Sequence, residues 1–136
     1  MDSHAQNSLK VCLVGPTQSG KTRFAQFLGT TRTREEYGFR STLGVNLDIL
    51  IFQGTLINLW DIGSIYLGLG EEYTKGAHGI LLFHDNNNTP PPFHIPQGVP
   101  IVDVYPFGRL ANGTYYYAPH DVNPMHKLLN LINANQ

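Results

Sequence analysis

Gly15-Pro16-Thr17-Gln18-Ser19-Gly20-Lys21-Thr22 is the stretch on which the reading of this chain turns. It has the form G-x-x-x-x-G-K-[ST], a glycine-rich loop whose backbone N–H groups can cradle a phosphate chain. The apolar run Val11-Cys12-Leu13-Val14 stands before it, and the helix-prone Phe24-Ala25-Gln26-Phe27-Leu28 follows. Strand, glycine loop and helix is the context the motif needs, because it brings the phosphates to a helix N-terminus. In such a loop the lysine, here Lys21, reaches the β- and γ-phosphates, and the hydroxyl of Thr22 meets Mg²⁺.

Outward from this loop, Leu9–Val14 reads as a buried strand and Lys21 to about Gly29 as a helix, with Phe24, Phe27 and Leu28 on one face. Residues 30–42 carry charge without periodicity, including Arg32, Arg34 and Arg40, and read either as a solvated surface loop or as a loop that closes over phosphate. Val45, Leu47, Ile49 and Ile51 alternate with polar residues, Gln53-Gly54 supplies a turn, and Thr55–Trp60 returns, which together predict a β-hairpin ending at Asp61. A short helix is expected around Gly70–Lys75, then a buried strand at Ile80–Phe83. The three successive prolines of residues 90–92 exclude a regular helix across residues 85–98. That stretch reads as a bridging loop. Pro100–Val104 and Thr114–Tyr117 read as further strands, with Asp103 as a paired or edge-exposed carboxylate. Asn123 reads as an N-cap, Pro124 as a first helical residue, and Met125, Leu128, Leu129 and Ile132 as one apolar stripe.

Bulk properties exclude several classes. At 136 residues, the expected organisation is a frayed stretch at 1–8 and one domain over 9–136. Nine Lys and Arg against ten Asp and Glu give no basic field for nucleic acid or an acidic membrane. Six scattered histidines lack the spacing of a zinc site. The single cysteine, Cys12, reads as a small core residue and fits a reducing, cytoplasmic setting. A transmembrane span, a signal sequence and a lipid anchor are not expected.

The order of these pieces resembles the small GTPases of the Ras superfamily, most closely the Rab branch, over roughly residues 9–105. The stretches that carry the resemblance are Lys10–Thr22, Ser41–Leu47, Leu59-Trp60-Asp61-Ile62-Gly63 and Lys75–Leu82. It implies an α/β, three-layer P-loop G-domain-like fold with a mostly parallel sheet, one antiparallel hairpin and fewer helices than usual. It implies Mg²⁺ with GTP or GDP as the cofactor. By the same resemblance Thr42 senses the γ-phosphate and ligates the metal, and Asp61 holds the metal through its water shell. The nucleotide site is then Gly15, Gln18, Ser19, Gly20, Lys21, Thr22 and Thr42, with Tyr105 and Phe107 as residues able to stack on a base. The metal residues are Thr22, Thr42 and Asp61.

The chain also departs from that family. Ser64 and Ile65 stand where it has the phosphate-sensing glycine and the water-orienting glutamine. Isoleucine cannot orient water, so hydrolysis is expected to be weak or absent. Pro106, Phe107 and Arg109 replace the asparagine, lysine and aspartate of its guanine-reading motif. Gln18 fills a loop position where Rab proteins usually have glycine. Two readings remain. One is a switch or decoy that binds GTP and acts through effectors or regulators of Rab-type GTPases. The other is a non-catalytic pseudo-GTPase interaction module without guanine specificity.

Overall fold

The structure is a computed structural model that describes residues 8–16, 19–31, 35–36, 45–62, 69–85, 89–91, 93–105 and 121–134. Nine elements form among them. In chain order they are β1 (Leu9–Val14), α1 (Lys21–Thr31), β2 (Glu35–Glu36), β3 (Val45–Phe52), β4 (Thr55–Ile62), α2 (Leu69–Tyr73), β5 (Gly79–Phe83), β6 (Ile101–Val104) and α3 (Asn123–Ala134). The expected strand at 114–117 lies outside the described residues. The fold is α/β. One sheet runs in the order β2-β3-β4-β1-β5-β6. β1 lies parallel to both β4 and β5, and β5 is parallel to β6.

The antiparallel part is larger than the single expected hairpin. β3 and β4 pair from Val45↔Ile62 to Phe52↔Thr55, and β2 adds a second antiparallel contact through Glu35↔Ile49 and Glu36↔Asp48. Two acidic residues give no apolar alternation, so nothing local announced β2. α1 runs to Thr31, past the expected stop at Gly29. A glycine costs a helix about 1 kcal/mol and so weakens it without ending it.

The chain covers both faces of the sheet. α1 supplies Phe24, Ala25 and Leu28 to one face and α3 supplies Met125, Leu128 and Ile132, in one cluster with Val11, Leu13, Leu81 and Phe83. Phe24 meets Phe83 edge-on at 5.6 Å between ring centres. On the other face Cys12, Val14, Ile62 and Ile80 are covered by Tyr73 of α2 and by Phe93, Ile95 and Val99 of the connection into β6. That connection is irregular, as its prolines require. Asp85 closes its start by accepting bonds from the N–H and the hydroxyl of Thr89, at 3.1 and 2.6 Å. Cys12 is fully buried, and burial pushes its thiol up to about 12.

The hairpin inverts its sequence pattern. Of the apolar alternates Val45 is buried, Leu47 and Ile49 are half-buried and Ile51 is exposed, while Asp48, Leu50 and Phe52 are buried, the last two in one cluster with α1 and α3. α3 also begins differently from its expected cap. The carbonyl of Val122 accepts the first helical bonds from Met125 and His126, and the carboxylate of Asp121 accepts the N–H of Asn123 at 2.9 Å. Asn123 and Pro124 are therefore the first two helical residues, and Val122 is the cap position.

α3 lies at the end of the sheet opposite the glycine loop. Gln53, in the hairpin turn, meets His126 at 3.2 Å, and Leu128 and Ile132 lie over Gly79 at the start of β5. A Cβ on Gly79 would fall 2.9 Å from both of their methyl groups, so glycine lets the helix settle directly on the strand.

Candidate phosphate and metal site

The site forms where β1 gives way to α1. At its first residue the loop is pressed against β5. A Cβ on Gly15 would lie 2.6 Å from the carbonyl oxygen of Phe83 and 2.8 Å from its Cβ. Thr17 and the expected site residue Gln18 lie outside the described residues. Ser19 is fully buried and donates its hydroxyl proton to the carbonyl of Pro16 at 2.7 Å, which draws the loop into a turn. Gly20 has a φ of +96°, a left-handed conformation that side chains rarely adopt. Its carbonyl accepts the N–H of Phe24 at 3.0 Å and starts α1. The free N–H groups of that first turn therefore open toward the loop.

Lys21 is buried at the start of α1 and folds back along the loop. Its ammonium donates to the carbonyls of Gly15 and Pro16, both at 2.9 Å. Burial lowers the Lys21 pKa, and the charge of Asp61 partly restores it. The lysine is thus held in place with one charge facing the loop's interior.

The next residue joins the loop to the sheet. The Thr22 hydroxyl donates to Oδ2 of Asp61 at 2.7 Å, across 39 residues of sequence. Asp61 occupies β4, next to β1 through the register Leu13↔Asp61, and is almost fully buried. Burial raises its pKa first. The Thr22 bond and the charge of Lys21 pull it down, and Asp48 pushes it up again.

Mg²⁺ accepts one or two protein oxygens and keeps water and phosphate for the rest of its octahedron. The Thr22 hydroxyl and the Asp61 carboxylate, held together by their 2.7 Å hydrogen bond, are the hard oxygens that magnesium takes, with Thr22 placed to meet such an ion and Asp61 to meet its bound water. Among the described residues no three His, Cys, Asp or Glu converge on one point.

Gly15, Ser19, Gly20, Lys21, Thr22 and Asp61 come together as expected from their order in the sequence. Thr42, Phe107, Ser64 and Ile65 lie outside the described residues. Tyr105 stands just past β6 and is already engaged. Its ring stacks on His84 at 4.4 Å with 12° between planes, and His84 Nε2 meets Asp103 Oδ1 at 2.8 Å. Partial burial, then the charge of Asp103, raises the Tyr105 pKa. Asp103 is the exposed, paired carboxylate of an edge strand that its place in the sequence suggested.

Two participants escaped the sequence reading. His84 gave no signal, because a lone histidine after an apolar strand has no spacing partner. Asp48 looked like the solvent side of an alternating strand, yet it is 2% exposed and close enough to influence Asp61.

Comparison with models of known protein families finds no match to this chain. Comparison with curated proteins finds none that matches it either.

Proposed function

We propose that this chain is a shortened small GTP-binding protein of Ras-like, Rab-type design, with a P-loop G-domain-like fold. It holds Mg²⁺ with GTP or GDP by the phosphates, turns the nucleotide over slowly or not at all, and works in the cytoplasm through protein partners. The observation that carries the reading is the bond from Thr22 to Asp61, which joins a phosphate-loop hydroxyl to a carboxylate of the neighbouring strand. A glycine loop alone is a turn before a helix. A glycine loop whose lysine is buried and whose threonine meets a buried aspartate has the parts of a phosphate–magnesium site.

When bound, the metal neutralises phosphate charge. The remaining work falls to the chain. Backbone N–H groups at Gly20 and in the first turn of α1 face the phosphates. Lys21 exchanges its bonds to Gly15 and Pro16 for phosphate oxygens. Thr22 would meet the metal and Asp61 its water shell, and Thr42 would add another ligand by resemblance. Slow turnover follows from Ile65, which has no group to orient water. A protein that binds nucleotide and does not turn it over can occupy the regulators or effectors of true Rab-type GTPases, and this decoy role is part of the proposal.

Thermal unfolding with GTP, GDP, ATP or no nucleotide, each with and without Mg²⁺, tests it. A ligand at a hundred times its dissociation constant stabilises the protein by about 2.7 kcal/mol. A magnesium-dependent shift with GTP or GDP, lost in Lys21→Ala, is the expected result. No shift with any nucleotide would sink the proposal.

The second reading, a pseudo-GTPase interaction module, draws on Pro106, Phe107 and Arg109, which supply no carboxylate for guanine. Under that reading Lys21→Ala leaves both ligand response and partner binding unchanged.

A further inference from the structure

α2 is five residues long, too short to be stable on its own, and tertiary contacts must fix it. At its carboxyl end Tyr73 packs on Trp60, with ring centres 5.6 Å apart, and the carbonyl of Tyr73 accepts the Cys12 thiol at 3.6 Å. Its first turn is held differently. Gly70 is buried, and a Cβ there would lie 2.5 Å from Cε2 and 2.8 Å from Cδ2 of Phe93, and 3.3 Å from a methyl of Ile62. The Phe93 ring therefore fills the space between the start of α2 and the end of β4, in the cluster with Ile62 and Ile80.

Phe93 belongs to the irregular connection between β5 and β6. Ile62 directly follows Asp61, the carboxylate bonded to Thr22. One ring thus lies against the first turn of α2, in the same cluster as the residue beside the candidate metal aspartate, and it is carried by a loop whose prolines 90 and 91 are exposed.

We propose that Phe93 is a latch that couples this loop to the phosphate site. It holds the first turn of α2 against Ile62, so a change in the metal environment at Asp61 is felt at the loop, and a contact made at the loop is felt at Asp61. The proposal rests on the reading of the site as one for magnesium and a nucleotide. It adds a residue that the reading did not contain, and it adds a direction for regulation. Phe93 is a positioning residue, and its role is separable from simple core packing. Ile95 lies in the same cluster and serves as the control.

The test uses the full chain, a fluorescent GDP and a fluorescent non-hydrolysable GTP analogue, each with Mg²⁺, together with hydrogen exchange at the amides of residues 71–75. Phe93→Ala should speed that exchange by about tenfold or more and change the ratio of triphosphate to diphosphate affinity by about fivefold or more. Ile95→Ala should lower the melting temperature and leave both readouts at wild-type values. Gly70→Ala, which drives a methyl group into the ring, should behave like Phe93→Ala, and the double change Gly70→Ala with Phe93→Leu should restore the wild-type ratio. A wild-type affinity ratio in both Phe93→Ala and Gly70→Ala would overturn the latch and leave the phosphate site standing. So would an equal response from Ile95→Ala. Binding of neither nucleotide by the wild type would remove the site and the coupling together.

Discussion

At the scale of the residue, Asp61 carries a conflict. A carboxylate must be charged to serve a cation, yet burial and the neighbouring Asp48 raise its pKa. A folded-state pKa above the unfolded value means that the native protein binds this proton more tightly. Its contribution to stability is therefore greatest at low pH and declines as pH rises from the ordinary value of 3.8 through the raised one. Magnesium reverses the dependence, because it binds only the ionised form. Metal-free wild type should lose stability across that window, while affinity for a magnesium nucleotide should increase. Melting curves and fluorescent-nucleotide titrations at matched pH will show the two slopes with opposite sign. Asp61→Asn should flatten both. Gly15 offers a second residue-level prediction. Its hypothetical Cβ meets a backbone oxygen at 2.6 Å, and a strand carbonyl cannot swing aside as a side-chain end can. Gly15→Ala should cost about 1–3 kcal/mol in urea unfolding and weaken phosphate binding as well. The motif itself named Gly15, since glycine, lysine and threonine at that spacing have few other uses, and the family resemblance named Asp61. Asp48 and His84 stayed hidden because their meaning depends on which strands lie beside them.

At the scale of the element, the strands were readable and their faces were not. Composition marked β1, β3, β4, β5 and β6 to within a residue or two at each end. Alternation in β3 did not reveal its buried side, because Leu47, Ile49 and Ile51 look more apolar than Asp48, Leu50 and Phe52, yet the second set is the buried one. A buried aspartate serving a site is a cost that a hydrophobicity pattern cannot anticipate. The expected consequence is an asymmetry between neighbours. Leu50→Ala should lose about 2–5 kcal/mol, and Ile51→Thr should stay within about 0.5 kcal/mol of wild type. Chemical unfolding of the two variants checks it. The cap of α3 makes the same point on a smaller scale. Asn123 has the right chemistry, but the preceding Asp121 reaches the open N–H first. Asp121→Ala should cost about 1 kcal/mol, measurable as a lowered midpoint.

At the scale of the whole molecule, the two ends of the sheet have separate tasks. The glycine loop, Asp61 and the β5 and β6 termini share one end. α3 braces the other through His126, Leu128 and Ile132. Damage to the brace should therefore reduce stability without changing recognition. Leu128→Ala is expected to lose about 2–5 kcal/mol, while nucleotide affinity measured well below its melting temperature keeps the wild-type value. An affinity that falls in step with stability would show that the two ends are not independent. The general architecture was legible because an apolar strand, a glycine loop and a helix in that order leave few ways to build a sheet. The stacking of His84 on Tyr105 and the seat of Phe93 under α2 were not. Both arise where segments distant in sequence are brought side by side, and neither segment holds a local trace of the other.

Cys12 lies in the strand at the heart of this sheet, with β4 on one side and β5 on the other. With its thiol pushed up to about 12, only about one molecule in a thousand would carry the thiolate at pH 9, even before access is considered. An alkylating reagent must therefore wait until Tyr73 of α2 and the connection into β6 lift from that face of the sheet. The chain holds no second cysteine to blur the signal. Its native sequence contains its own stopwatch, and the rate of alkylation, followed by mass, reports how often the middle of the molecule opens.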